Sequence, residues 1–373
     1  MTEAFNVRPD FGLEHARWIT RPVASHREWE RIAVEATVVI ESGGAALLFG
    51  VRDERNYYGI ELIAEQDAAI LFAMEDGVRR ELARAGTAAM TASPAAVFVR
   101  IERGGELCSL YLNERKALSV PAPSLKPGTI GFRTGPGQTA VIRKLRVFDE
   151  DGRALYVNRF YDPSAVQFSA GNVDSSGSGL RLGENTLSIC ESPVPVDSPL
   201  FRKSFELEGE VVSAVASVYA LGWYELRLNG RKADARVLAP ANSPYERRLL
   251  YDTYDVTSAV RQGGNAIGLW LGNGYNLNYS RWGWKWKRDK AVIASLEIRL
   301  ADGRVERIVT DETWQTSDSA LLLNDIYDGE TYDARRETIG WDTFGFEAES
   351  WRPASLAVPP EGRLEPNSQP SVL

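Results

Sequence analysis

The stretch GWYELRLNGRK, residues 222–232, shows how most of this chain is built. Apolar side chains at every second position alternate with polar ones until the pair Asn229-Gly230. This two-residue period is typical of a half-buried strand, and Asn-Gly favours a tight hairpin because both central residues adopt positive φ. Residues 297–309 (EIRLADGRVERIV) repeat the pattern around an Asp-Gly pair. We therefore predict antiparallel hairpins in this part of the chain.

The amino-terminal half carries the same kind of pattern. Short apolar runs recur at residues 45–51 (AALLFGV), 56–63 (NYYGIELI) and 97–101 (VFVRI). Between the halves lie a Gly/Ser/Asn-rich stretch at 169–183 and the Pro-marked SPVPVDSP at 192–199. Such composition is typical of a linker. The fold class predicted is all-β, with two consecutive antiparallel β-sandwiches that meet near residue 195.

Helical patterns are sparse. Residues 79–85 (RRELARA) and 256–261 (VTSAVR) could each form one or two helical turns. Neither stretch is long enough to organise a helical domain.

Composition excludes several classes of function. The chain has 373 residues and a formal charge of −8, which argues against nucleic acid or an anionic membrane as a partner. It has two cysteines and two histidines, both histidines within the first 26 residues. We expect no metal site and no histidine-based catalytic triad in the body of the chain. The amino terminus lacks the pattern of a secretory signal, so the expected location is the cytoplasm.

Two segments, one rich in tryptophan and one rich in charged residues, are candidates for binding or cleaving sugars. In RWGWKWKRDK, residues 281–290, Trp282 and Trp284 would share one strand face, where they could stack on sugars or pack against a neighbouring sheet. Residues 324–337 (NDIYDGETYDARRE) combine several carboxylates with two arginines. Ion pairing, substrate contact through Asp325 and acid–base catalysis are all open for this segment.

Catalysis by the second segment would use the carboxylates of Asp325, Glu330 or Asp333. A glycosidase needs two such groups across a sugar, one of them with a raised pKa. The arginines nearby favour ion pairs instead, so we expect no catalytic residue in this chain.

Five segments, in their order and spacing, resemble the N-terminal β-sandwich of bacterial α-L-rhamnosidases of glycoside hydrolase family 78. They are SPLFRKSFEL (198–207), GWYELRLNGRK (222–232), VLAPANSPYERRLLYDTYDVT (237–257), GGNAIGLWLGNGY (263–275) and NDIYDGETYDARRETIGW (324–341). HARWI at 15–19 resembles the opening strand of that family. The resemblance covers about 160 residues and implies a galactose-binding-like sandwich.

The resemblance also implies how the chain is divided. Residues 1–24 would be an opening strand that packs with the second domain, and residues 25–190 an inserted module. Residues 191–357 would be the rhamnosidase sandwich, and residues 358–373 the start of a following domain. The insert resembles concanavalin-like jelly rolls, most of all the calcium-assisted rhamnose-binding module that some of these enzymes carry. Its AALLFGVRDERNYYGIEL at 45–62 carries the likeness.

That module implies a sugar site at the turn after its GxxFRxxD strand. Asn56 is kept here, while Arg55 stands where the module has an acidic residue. A cation cannot ligate calcium, so we expect no cofactor, although Asp53 leaves calcium open. Tyr57 and Tyr58 complete the expected contacts for a rhamnose-containing oligosaccharide or polysaccharide.

In the resembled family, catalysis belongs to an (α/α)6 barrel that inverts configuration at terminal α-L-rhamnosides. About twelve helices would need roughly 200 residues, which are not present in this sequence. We expect a non-catalytic portion that binds sugar and packs against the catalytic domain of a parent enzyme. A self-sufficient glycosidase and a purely structural scaffold are the alternatives.

Overall fold

A computed structural model describes residues 12–22, 32–86, 95–104, 107–121, 128–149, 152, 154–158, 160, 166–175, 179–190, 198–276, 288–326 and 329–372. These residues form two compact units. Described residues within 24–196 make the amino-terminal unit, and those within 1–23, 197–277 and 286–373 make the carboxy-terminal unit.

Strands dominate both units, and the all-β fold class is confirmed. Up to residue 190 they are β1 (Ile19–Thr20), β2 (Ile32–Ser42), β3 (Gly44–Asp53), β4 (Asn56–Ile63), β5 (Ala68–Glu75), β6 (Val78–Gly86), β7 (Ala95–Gly104), β8 (Leu107–Leu112), β9 (Arg115–Pro121), β10 (Thr129–Arg133), β11 (Thr139–Asp149), β12 (Ala154–Asn158), β13 (Val166–Ala170), β14 (Val173–Ser175), β15 (Leu180–Leu182) and β16 (Leu187–Cys190).

The remaining strands follow the Pro-marked stretch. They are β17 (Leu200–Leu207), β18 (Val211–Ala220), β19 (Trp223–Leu228), β20 (Arg231–Lys232), β21 (Arg248–Asp255), β22 (Gly263–Gly272), β23 (Ala291–Leu300), β24 (Val305–Val309), β25 (Gln315–Ser317), β26 (Leu321–Asp325), β27 (Gly329–Tyr332), β28 (Arg352–Pro353), β29 (Ser355–Leu356) and β30 (Arg363–Pro366). Short 3-10 turns occur at Ala64–Gln66, Thr257–Ala259 and Ala334–Arg336. Among the described residues, none of the helices is long and apolar enough to cross a membrane.

The amino-terminal unit contains two antiparallel sheets. One has the strand order β13-β16-β10-β3-β4-β5-β6, and the other has the order β14-β15-β11-β2-β7-β8-β9, with β12 added to β11. Leu48, Val51, Tyr57 and Phe72 belong to a buried cluster inside this unit. The β3–β4 and β5–β6 hairpins are neighbours in the first sheet, so their turns lie at the same sheet end.

The carboxy-terminal unit is the second sandwich. Its sheets have the orders β29-β1-β23-β18-β21-β30, with β24 on β23, and β20-β19-β22-β17-β25-β28. A buried cluster joins residues of both sheets, such as Val218 and Leu296 of the first and Phe201 and Leu269 of the second. The predicted Asn-Gly hairpin is present, because β19 pairs with β20.

One expected helix is a strand in the structure, and the carboxy-terminal segment also forms a strand. The possible helix at 79–85 is part of β6, which pairs with β5 through the turn Asp76-Gly77, where both φ angles are positive. Residues 363–366 form β30, which pairs in parallel with β21. The described part of 358–373 therefore belongs to the carboxy-terminal unit, and the start of a following domain at this place stays a prediction.

A substitution in β1 tests whether the residues before the jelly roll belong to the second sandwich. Ile19 is fully buried in the second sandwich and pairs with Val292. Ile19→Ala should lower the free energy of unfolding of that unit by about 2–5 kcal/mol, because truncation leaves a core cavity. Denaturant unfolding followed by tryptophan fluorescence measures the change.

The matched control is Ile339→Ala, since Ile339 is 87% exposed in the same unit. It should change stability by no more than about 0.5 kcal/mol. Equal effects of both substitutions would contradict the placement of β1 in this core.

Candidate functional site

Two hairpin turns of the amino-terminal unit bring the predicted sugar-binding residues together. Asp53 ends β3 and pairs with Asn56, which begins β4. On the next hairpin, Asp76 and Gly77 connect β5 to β6. We call the side chains of Arg52, Asp53, Arg55, Asn56 and Asp76 the hairpin-tip cluster.

Asn56 joins the two turns. Its Nδ2 donates to both oxygens of Asp53, at 3.0 and 3.1 Å. Its Oδ1 accepts from the backbone N–H of Asp76 at 3.1 Å and from Nη2 of Arg52 at 3.2 Å. An amide that bonds backbone and side chains in this way fixes the turns relative to each other. Asn56 therefore positions the cluster, and its own polar atoms are largely occupied.

Arg55 forms a second link between the turns. Its Nη2 donates to the carbonyl oxygen of Asp76 at 2.5 Å, while Gly77 N–H donates to the carbonyl oxygen of Arg55 at 3.0 Å. Gly77 has φ +82°, and a Cβ there would come within 3.1 Å of Arg55 Nε. Glycine at this turn thus leaves room for the guanidinium group.

Asp53 is held as a carboxylate. The backbone N–H of Arg55 donates to its Oδ1 at 2.8 Å, and this bond, with that from Asn56, lowers the pKa of Asp53. Three hydrogen bonds leave part of its acceptor capacity unused, because a carboxylate has about four acceptor positions. Arg52 donates only to Asn56 among the described residues, so its other N–H groups are available. The cluster thus offers both donors and an acceptor to a hydroxyl group.

The two tyrosines point in opposite directions. Tyr58 is half-buried, and its ring lies 6.1 Å from that of Phe49, while its hydroxyl donates to Glu75 at 3.4 Å. Burial raises the pKa of Tyr58. Tyr57 is only 2% exposed, and its hydroxyl accepts from Arg133 at 2.6 Å. Alternation along β4 therefore turns Tyr57 into the core, and its contact with sugar stays a prediction.

No group of three or more His, Cys, Asp or Glu side chains among the described residues could hold a metal ion. Trp282 and Trp284, the aromatic candidates in residues 281–290, lie outside the described residues.

The carboxylates of 324–337 have distinct surroundings. Asp325 is 8% exposed. Glu330 accepts from Nδ2 of Asn324 at 2.9 Å across the β26–β27 hairpin. Asp333 accepts from Arg335 Nε and Nη2 at 2.7 and 2.8 Å and from its backbone N–H, and it pairs with Arg336 at 3.4 Å. The predicted ion pairs are present.

These ion pairs bear on catalysis. The Arg335 guanidinium beside Asp333 lowers the pKa of that carboxyl to about 2. A general acid needs the opposite shift, because it must carry a proton at the working pH. Asp333 is therefore fixed in the wrong protonation state for a proton donor.

Sequence reasoning did not select Arg52 or Asp76. Asp76 is drawn to the cluster by the pairing of β4 with β5, which is not visible in a local pattern. The Asp-Gly pair at 76 and 77 is a turn signal that could have indicated it.

Comparison with known proteins bears on the second sandwich. Residues 209–373 match the model of the family described as Alpha-L-rhamnosidase N-terminal domain. This part of the chain is thus similar to the N-terminal domains of alpha-L-rhamnosidases. The family that the five segments indicated is confirmed for this part of the chain.

Curated alpha-L-rhamnosidases are similar to the chain over part of its length. That of Streptomyces avermitilis is 40% identical over 164 residues, which are 43% of this chain and 16% of the relative. One from Formosa agariphila is 33% identical over 214 residues, or 53% of this chain and 22% of the relative. The chain thus spans less than a quarter of the length of these rhamnosidases.

A solved Streptomyces avermitilis alpha-L-rhamnosidase, complexed with L-rhamnose, resembles 95% of this chain and 33% of its own, with 23% identity and a TM-score of 0.44.

The ion pair at Asp333 predicts a measurable titration. Because the pKa is lowered to about 2, the carboxyl should stay ionised as pH falls through the ordinary range near 3.8. Carbon-13 NMR of the aspartate carboxyl groups should place the Asp333 midpoint near 2. Its contribution to stability is present above 3.8 and is lost as pH falls through 2.

Arg335→Gln should move this midpoint toward 3.8, since it removes the principal partner. Arg231→Gln, which replaces another exposed arginine of the same unit, should leave the midpoint in place. A wild-type Asp333 midpoint at or above 3.8 would show that the ion pair does not form in solution.

Proposed function

We propose that this chain is the carbohydrate-recognising portion of an alpha-L-rhamnosidase, and that it contributes binding rather than catalysis. The observation that supports the proposal is the hairpin-tip cluster. In it, Asn56 fixes Asp53 and Arg52, the carbonyl oxygen of Asp76 holds Arg55, and polar atoms remain exposed. Sugar hydroxyls both donate and accept, so a carboxylate beside guanidinium groups complements them.

The expected ligand is a rhamnose-containing oligosaccharide or polysaccharide. This expectation rests on the resemblance of the amino-terminal unit to rhamnose-binding modules and on the family of the second sandwich. Tyr58, on the same face of β4 as Asn56, would supply apolar contact to the C–H face of the sugar. A weak module raises the local concentration of substrate for a catalytic domain linked to it.

The cluster is proposed to work without calcium. Arg55 already bridges the turns by donating to the carbonyl oxygen of Asp76. A guanidinium group at this place would repel a divalent cation, and its link to Asp76 supplies the cross-connection between turns that a metal ion could otherwise provide.

Packing against the rest of the enzyme is the second proposed role. Ile339, Tyr332 and Phe344 are 87%, 48% and 43% exposed. Tyr332 and Ile339 also line a cavity of about 390 Å³ with Trp270 and Trp341. Exposed apolar surface of this kind marks interaction sites. We propose that the (α/α)6 catalytic domain of the parent rhamnosidase, which cleaves terminal α-L-rhamnosides with inversion, covers this surface.

Calorimetric titration with L-rhamnose tests the sugar site. Wild type should bind in the millimolar range, and chelator should leave the affinity unchanged. Asp53→Ala and Arg55→Ala should each weaken binding about tenfold or more, because hydrogen bonds to charged groups are worth about 1.5–3 kcal/mol. Absence of binding by wild type at millimolar sugar would favour the structural scaffold.

Arg84→Ala is the matched control, because Arg84 is an exposed arginine of the same sheet that pairs with Glu81 away from the cluster. It should bind as wild type does. Binding that requires calcium would contradict the role given to Arg55.

A hydrolysis assay distinguishes a chain that only binds sugar from one that also cleaves it. We expect no release of nitrophenol from nitrophenyl α-L-rhamnoside by this chain above the background rate of buffer. Asp325→Asn, Glu330→Gln and Asp333→Asn should therefore leave the measured rate unchanged. Release that is lost in one of these variants would instead support a self-sufficient glycosidase.

A further inference from the structure

The carboxy-terminal unit contains a cavity that the proposed function does not use. It lies where β19 begins and is closed by the loop 236–242, by Tyr275 and by the segment 367–372. Its volume is about 210 Å³. That space corresponds to about seven water molecules at ~30 Å³ each, so it suits one small ring rather than a larger ligand.

One wall of the cavity is aromatic. Trp223 and Tyr275 both line it, with ring centroids 5.9 Å apart and ring planes at 79°. Two rings in different planes offer both a face and an edge to a small molecule.

The other wall is polar, and a buried carboxylate organises it. Asp252 is 4% exposed, accepts from Asn367 at 2.8 Å and from the hydroxyl of Tyr224 at 3.2 Å, and burial raises its pKa. It thereby joins β19, β21 and the carboxy-terminal segment at the floor of the cavity. Arg236 Nη1 lies 3.8 Å from Asp252 Oδ1.

Arg236 is held in place by its neighbours, and one of its N–H groups remains available. Its Nη2 donates to the carbonyl oxygen of Thr253 at 3.0 Å, its Nε donates to Asp234, and its guanidinium carbon lies 3.8 Å over the ring of Tyr254. Among the described residues, Nη1 has only the longer contact with Asp252. A fixed guanidinium group with a free N–H edge is suited to an oxygen acceptor.

Two side-chain amides complete the polar wall. Asn242 and Gln369 line the cavity and are exposed, and neither side-chain amide is hydrogen-bonded to another described residue. Each can donate and accept. Leu238, between Arg236 and Asn242, has φ +57°, a strained conformation for a residue other than glycine that often marks a binding loop.

We propose that this cavity is a second carbohydrate-binding site, which takes one neutral monosaccharide unit. The aromatic wall fits the C–H face of a sugar ring, and the amides and Arg236 fit its hydroxyl groups. Asp234 and Asp252 balance the charge of Arg236, so the site lacks the excess positive charge that an acidic sugar would need.

Saturation-transfer NMR with L-rhamnose, D-galactose and D-glucose in turn tests the site. The protein carries Asp53→Ala and Arg55→Ala, so that the hairpin-tip cluster does not contribute. At least one sugar should give saturation transfer and bind in the millimolar range. Ala241→Trp, which fills the cavity from its rim, should abolish that signal.

Smaller substitutions are also tested, because Ala241→Trp could lose binding through a folding defect. Gln369→Ala and Asn242→Ala should each weaken binding about threefold to tenfold, in line with the loss of one neutral hydrogen bond. Gln262→Ala is the matched control, because Gln262 is an exposed amide outside the cavity, and it should have no effect.

The proposal is overturned if none of the three sugars gives a signal, or if cavity variants with wild-type melting temperatures bind as the parent does. Loss of rhamnose binding at the hairpin-tip cluster alone would leave this result unchanged, since the tested protein already lacks that site. The experiment therefore tests the cavity independently of the hairpin-tip cluster.

Discussion

The pairing of β1 with β23 constrains the whole chain. Ile19 and Thr20 pair with Val292 and Ala291, and Thr20 Oγ1 donates to the carbonyl oxygen of Lys290 across 270 residues of sequence. The second sandwich therefore needs a strand that precedes the jelly roll. Within the same unit, Arg21 pairs with Asp318 at 2.8 Å and Ser198 N–H donates to the carbonyl oxygen of Leu321 at 3.2 Å, so the segments on either side of residues 24–196 both contact residues 318–321.

Much of this fold could be predicted from local pattern, for reasons that particular residues make clear. Asn229 and Gly230 have φ angles of +48° and +85°, which are the values that the hairpin turn requires. By contrast, residues 79–85 consist mostly of good helix formers, yet they lie in a strand. The pairing with β5 and the stacking of Arg79 over Phe72 at 4.6 Å override that preference.

The candidate site could be predicted only in part. Asp53, Arg55 and Asn56 are neighbours in sequence and remain neighbours in space. Which of two adjacent tyrosines faces solvent depends on the register of β4, and a shift of one residue would exchange them. The fold adds more distant residues: Asp76 reaches the cluster through strand pairing, and Asn367 lies 115 residues from its partner Asp252. Such contacts arise from tertiary structure and leave no local signal.

The long separation of β1 from its partner also has a consequence for biosynthesis. At about 5–20 residues per second, a ribosome needs roughly 14–54 s to make the 270 residues between Thr20 and Lys290. The opening strand emerges first but has no sheet to join during that interval. The jelly roll is synthesised completely within it, so the module emerges before the second sandwich can close around Ile19.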